Sequence, residues 1–139
     1  GQRQRLLLAS VLAGRPRVIV LDEPVSAMDP EGAACLYKLL YKLYQKYGMT
    51  VVVVEHNLDF VLPYITDMIV LQDGQIKAAG CFEEAAEKAY ADRELRHLLP
   101  ALWQVRLELE QREGIRLGSW RNIGEAIGEL KEKFGRVGL

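Results

Sequence analysis

Val18-Ile19-Val20-Leu21-Asp22-Glu23-Pro24-Val25-Ser26-Ala27-Met28-Asp29-Pro30 is the stretch that decides the reading of this chain: four apolar residues, two adjacent carboxylates, then a turn rich in Pro, Ser and Asp. A continuous β-branched and Leu run is the pattern of a strand buried in a parallel sheet. Such a strand delivers Asp22 and Glu23 to its carboxyl end, where open α/β sheets bind their ligands. Side chains alternate along a strand, so two neighbouring carboxylates point differently and suit different tasks, one at a metal and one at water. That is chemistry suited to nucleotide hydrolysis.

The flanks extend the pattern. Upstream, Gly1-Gln2-Arg3-Gln4-Arg5 leads into an apolar, helix-like stretch to about Ala13, which Gly14-Arg15-Pro16 ends, Gly as a cap and Pro as a residue unable to continue. The chain begins without Met and reads as cut at this point. Downstream, Asp29 as N-cap and Pro30 at the first helical position start a helix to about Tyr47, before Gly48. Leu36, Leu40, Leu43 and Tyr47 form its apolar stripe, which is expected to pack on the sheet. Tyr37, Tyr41 and Tyr44 form a second stripe, read as core. Thr50–Val54 is another apolar strand, ending in Glu55-His56-Asn57, with a short helix expected from about Leu58.

Residues 68–79 pair two strand-like runs about Asp73-Gly74, a strong hairpin signal. After Gly80 the composition turns helical. Leu98, Leu102, Val105 and Leu109 follow helical spacing with Pro100 near a helix start, and Asn122 with Glu125 resembles a capping box before residues 123–134. Residues 92–139 read as a helical appendix.

Composition narrows the classes. The chain has 139 residues, 50% of them hydrophobic, and a formal net charge of −1, which suits a compact domain and shows no bulk preference for nucleic acid or an anionic membrane. Cys35 and Cys81 lack metal-ligand spacing, so reduced thiols are expected. No apolar run has the length of a membrane span, and there is no signal-peptide pattern at the start. Gly124 and Gly128 have the Gly-x-x-x-Gly spacing, but the charged residues around them exclude a transmembrane dimer motif.

Four elements in order carry a family resemblance. Gly1-Gln2-Arg3-Gln4-Arg5 is similar to the end of the signature sequence of ATP-binding-cassette ATPases; Val18–Asp22 with Glu23 resembles the Walker B strand and its following glutamate; Ser26-Ala27-Met28-Asp29 resembles the D-loop; and His56 resembles the switch histidine. The resemblance covers roughly residues 1–90. It implies an α/β fold: the carboxyl-terminal half of a P-loop NTPase, with parallel core strands, a terminal β-hairpin and a helical extension. Residues 1–91 then form a partial ATPase domain and residues 92–139 the extension.

The resemblance also implies roles. Asp22 is the Mg²⁺ residue, Glu23 and His56 are catalytic, and Gly1, Gln2, Ser26 and Asp29 contact nucleotide. ATP and Mg²⁺ are the implied cofactors. A second ATPase subunit, identical or different, and a transmembrane coupling subunit are the implied partners, without nucleic acid, at the cytoplasmic face of the membrane. The hairpin region, Val70–Ile76 followed by Ala79-Gly80 and Glu83-Glu84, resembles the transporter type of cassette ATPase, and Leu98–Leu107 with Gly114-Ile115 resembles the carboxyl-terminal extension of energy-coupling-factor ATPases, which drive uptake of vitamins and of cobalt or nickel ions. One departure stands out. The phosphate-cradling loop requires Gly-x-x-x-x-Gly-Lys-[Ser/Thr], and this chain holds no Gly-Lys pair, so the parent is expected to be an ATPase and this chain alone inactive.

Plainer readings stand beside these. An Asp-Glu pair can be a solvated strand end, His56 and His97 surface histidines, Arg3 and Arg5 a solvated helix face, Asp29 only a cap, and Trp103 either core or a partner contact. Non-transport cassette ATPases of translation or DNA repair, and a non-catalytic interaction module, are the rival functions.

Overall fold

The computed structural model describes residues 2–135; residue 1, residues 136–139 and the side chains of residues 2–5, 7 and 8 lie outside the description. It forms two compact units, Gly1–Tyr64 and Ile65–Leu139. The sequence division at residue 91 is one of motifs, and it runs through the second unit.

In the first unit, α1 (Gln2–Ala13) precedes β1 (Val18–Asp22), α2 (Pro30–Tyr47) and β2 (Thr50–Val54). The left-handed residue after α1 is Arg15, at φ 47°, and not Gly14, whose N–H still bonds the Val11 carbonyl. α2 is capped as its sequence predicts. The Asp29 carboxylate accepts from the Gly32 N–H at 3.1 Å, and Gly48 closes the other end at φ 60°, a left-handed conformation natural to glycine.

β1 and β2 pair in parallel, Val18 opposite Thr50 through Asp22 opposite Val54. One face packs on α2: Leu21, Val51 and Val53 meet the buried cluster of Leu36, Tyr37 and Leu40, with Val25, Met28, Phe60, Val61 and Tyr64 around it. The other face is open, with Val18, Val20, Val52 and Val54 at 56%, 65%, 44% and 50% exposure. This corrects the expectation of a strand buried on both faces: the apolar run is present, but the described residues supply one covering layer. The α2 stripe is likewise buried only at Leu36 and Leu40, while Tyr47 is exposed, and the tyrosine stripe runs from buried Tyr37 to exposed Tyr44. Residues 59–64 form successive turns and not the expected helix. Pro63 has no N–H to give to the carbonyl four residues back, so a helix cannot propagate through it.

In the second unit, β3 (Asp67–Gln72) and β4 (Gln75–Cys81) form an antiparallel hairpin, followed by α3 (Phe82–Ala91), a single 3-10 turn (Arg96–Leu98), α4 (Ala101–Glu113) and α5 (Ile123–Phe134). Asp73 and Gly74 both have positive φ, 51° and 72°, as a two-residue turn matched to strand twist requires. Phe82, Ala85, Ala86, Ala89 and Tyr90 of α3 are buried, as are Met68, Val70 and Ala78 of the hairpin. Trp103 is fully buried, its ring edge-on to Phe82 at 4.7 Å and its indole N–H donating to the Trp120 carbonyl at 2.7 Å. It is core.

α4 buries a different face from the one its leucine spacing predicts. Trp103, Arg106 and Leu107 are buried and Val105 is exposed, while Leu102 and Leu109 are half-buried against Leu117, Trp120 and Ala126. The rotation follows from Arg106, which stacks on Trp103 and donates to the carbonyls of Gly118 at 2.7 Å and Leu117 at 2.9 Å. A polar residue enters the core when fixed carbonyls meet it. No helix of the described residues is long and apolar enough to cross a membrane.

Two carboxylates tie the carboxyl-terminal segment down. Glu83 accepts from the Ser119 hydroxyl and pairs with Arg121, whose guanidinium also donates to the Ile65 carbonyl at 2.7 Å. Glu129 accepts from the Gly118 N–H at 2.8 Å and the Trp120 indole at 2.7 Å, beside Lys133. Burial works against the charge on Glu83, but hydrogen bonds from Ser119 and the backbone together with Arg121 hold its carboxyl below the usual range. The Gly118 and Trp120 donors do the same for Glu129 against a smaller burial effect, with help from Lys133.

A carboxyl held low in the folded state adds stability above its unfolded pKa of about 4.3, and that stability is lost as pH falls through the folded value. Thermal unfolding followed by circular dichroism should therefore show Tm falling on acidification below about pH 4.3, and falling less in a Glu129→Gln variant.

Candidate functional site

The polar ends of β1 and β2 meet because the strands run parallel and in register. The last ladder hydrogen bond runs from the Glu23 N–H to the Val54 carbonyl at 2.9 Å, so the residues after it emerge side by side. Across that end, His56 Nε2 lies 2.9 Å from Glu23 Oε1. Two residues 33 positions apart in sequence form one acid-imidazole pair, in which the imidazole N–H donates to the carboxylate.

Glu23 adopts φ 43°, in the left-handed region. For a side chain other than glycine this is a sparsely populated conformation that costs on the order of 1 kcal/mol or more and persists only where its surroundings impose it. Here the ladder bond holds its N–H, and its carbonyl accepts from the Ser26 N–H at 3.2 Å. The same turn continues with the Met28 N–H on the Val25 carbonyl at 2.9 Å, while Val25 and Met28 turn inward onto the α2 cluster.

Asp22 lies on the open face of the sheet, exposed, and among the described residues its carboxylate has no hydrogen-bond or ion-pair partner. No group of three or more His, Cys, Asp or Glu able to hold a metal occurs among the described residues. A lone hard oxygen donor suits Mg²⁺, which keeps several waters and completes its shell with substrate phosphates. The donor chemistry of Asp22 therefore fits the ion named by the resemblance.

The sequence-predicted residues thus fall into three groups. Asp22, Glu23 and His56 converge at one sheet end. Ser26 is exposed in the turn that follows, and Asp29 caps α2, so its carboxylate has a structural task in addition to any other. Gly1 lies outside the described residues, as does the side chain of Gln2, whose backbone opens α1. His97 belongs to the 3-10 turn of the second unit.

One residue of this neighbourhood was not singled out by sequence. Tyr37, read only as part of a stripe, donates its hydroxyl to Glu55, the residue before His56. The available signal was a tyrosine among the leucines of a core-facing helix, one turn from Leu40.

The Asp29 cap is separable from the rest. Asp29→Ala should lower the stability of the chain to urea by about 1 kcal/mol, measured by fluorescence-monitored unfolding, while the loss is nearly absent in Asp29→Asn.

No protein-family model matches the chain. Among curated proteins it is 36% identical over 134 residues to the energy-coupling factor transporter ATP-binding protein EcfA of Methanococcus maripaludis, covering 95% of this chain and 47% of that one. To the EcfA of Methanosphaera stadtmanae it is 39% identical over 121 residues, covering 86% of this chain and 42% of that one. To the EcfA2 of Bacillus cereus it is 35% identical over 115 residues, covering 83% and 39%. The chain thus spans about half the length of these relatives, or less. Among solved structures it is similar to an ATP-binding cassette of an ABC transporter in its ADP conformation, with 32% identity, a TM-score of 0.59, and coverage of 70% of this chain and 38% of that one.

Proposed function

Because this chain has the sequence and fold of the carboxyl-terminal part of an ATP-binding-cassette ATPase subunit, similar along most of its length to those of energy-coupling-factor transporters, we propose that it supplies the hydrolytic half of the nucleotide site in the ATPase of an importer. The observation that carries this reading is the Glu23–His56 pair beside the free carboxylate of Asp22, at the carboxyl end of a parallel strand. Residues 1–91 are the ATPase part and residues 92–139 its extension.

Phosphoryl transfer asks little covalent chemistry of a protein and much positioning and electrostatic stabilisation. Mg²⁺, when bound, neutralises charge on the phosphates. Asp22 holds it, directly or through water. Glu23 orients the attacking water and draws on its proton, with the left-handed backbone aiming the carboxylate past the strand end. His56 donates to the terminal phosphate from the position where it now meets Glu23. Ser26 and Asp29 contact nucleotide, as do Gly1 and Gln2, the latter opening α1, and a helix start is where anions bind. ATP hydrolysis drives uptake through a transmembrane partner, with the subunit peripheral at the cytoplasmic face.

The chain's own residues include no phosphate-cradling Gly-Lys. Titration calorimetry of the chain with Mg-ATP should accordingly show no binding heat, and micromolar affinity would overturn the assignment of phosphate binding to another part of the subunit. In a full-length subunit carrying these residues, Glu23→Gln or His56→Ala should cut hydrolysis by about 100-fold or more with nucleotide binding retained. Unchanged turnover in both variants would defeat the proposed roles.

A further inference from the structure

We propose that Tyr37 is a positioning residue for His56: through its hydrogen bond to Glu55 it fixes the chain immediately before the histidine, so that the imidazole is held on Glu23. What this means for hydrolysis rests on the function proposed above; the geometry itself does not.

The pair needs such support. The His56 side chain is 83% exposed and that of Glu23 45%, and an exposed ion pair or hydrogen bond of this kind is too weak to hold two mobile side chains together unaided. How often the pair is formed is set by where the backbone has already placed the imidazole. β2 pairing does not reach it, because the ladder ends at the bond between Glu23 and Val54. The first attachment beyond that bond, apart from His56 itself, is Glu55 on Tyr37.

Tyr37 is a firm anchor. It is 2% exposed, within the Leu36–Leu40 cluster of a helix capped at both ends by Asp29 and Gly48. Burial pushes the phenol pKa far above its ordinary range, and the hydrogen bond and negative charge of Glu55 push the same way. Tyr37 therefore remains a donor at every pH the protein meets. Among the described residues the Glu55 carboxylate has no other hydrogen-bond partner. Without the hydroxyl, this half-buried carboxylate loses its protein donor and seeks water, and the peptide that carries His56 turns with it.

Diethyl pyrocarbonate tests the idea on the chain as it stands, without nucleotide. The reagent acylates whichever imidazole nitrogen bears a lone pair; while Nε2 is held as N–H donor to Glu23, only Nδ1, the more hindered nitrogen beside Cβ, can react, so His56 reacts more slowly in the pair than when released. Modification of His56 is quantified by mass spectrometry near neutral pH, with His97 of the other unit as internal reference. Tyr37→Phe should raise the His56-to-His97 rate ratio by about threefold or more, to the level of Glu23→Ala, which removes the acceptor altogether, with the thermal transition still cooperative. Glu55→Gln, whose amide oxygen still accepts from Tyr37, should stay near the unsubstituted ratio.

A merely structural loss would change melting without changing the ratio selectively. If Tyr37→Phe leaves the ratio unchanged while Glu23→Ala raises it, the role of Tyr37 is overturned and the hydrolytic reading stands. If Glu55→Gln raises it as far as Tyr37→Phe, the positioning route is equally overturned. An unchanged ratio in Glu23→Ala would remove the pair itself, and with it the geometry on which the hydrolytic proposal stands.

Discussion

The hydrogen bond from the Glu23 N–H to the Val54 carbonyl is the constraint on which the site depends. It closes a parallel ladder that begins with the Thr50 N–H on the Arg17 carbonyl, and it fixes both the level at which the two strands end and which residues leave them together. A register slip of one residue would exchange the faces of every side chain on one strand, sending Ile19 and Leu21 outward and detaching Glu23 from His56. The apolar contacts beneath the sheet, from Leu21, Val51 and Val53 to α2, are what penalise that slip. Core packing and site geometry are one specification here.

The second unit solves a different problem with different means. Its carboxyl-terminal segment, residues 114–122, has little regular structure, so its backbone groups need partners from outside the segment. Arg106 serves two of its carbonyls, Trp103 a third, and Glu110 and Glu129 accept from the Leu117 and Gly118 N–H groups at 2.6 and 2.8 Å. Side chains of α4 and α5 thereby replace the ladder that a strand would have supplied. The buried Arg106 is thus a structural cation, and its stacking on Trp103 explains why a charged residue occupies the face that leucine spacing assigns elsewhere.

Local chemistry was legible in the sequence, and long-range pairing was less so. Asp29 with Pro30, Gly48, the Asp73-Gly74 turn and the Asn122–Glu125 cap each act within a few residues, and each is found where its residue type predicts. Asp22, Glu23 and His56 were legible as strand ends, because a strand that stops on polar residues is itself a local pattern. Their meeting depends on β1 and β2 being neighbours, which the family resemblance implied and periodicity alone did not. Apolar strands cannot reveal how many of their faces are covered. Leucine spacing could not anticipate Arg106, since the carbonyls that hold it lie 11 and 12 residues away. Tyr37 was hidden for a similar reason: its ring reads as core, and only its hydroxyl, 18 residues from Glu55, has a polar task.

The open face of the β1–β2 sheet has a practical consequence. Thr50-Val51-Val52-Val53-Val54 is a strand-forming segment without charge, Pro or Gly, and among the described residues each strand of this two-stranded sheet has one edge without a strand partner. Exposed valines above free backbone edges are the surface on which one chain adds to another. This sheet edge is therefore where edge-to-edge association of the isolated chain is favoured.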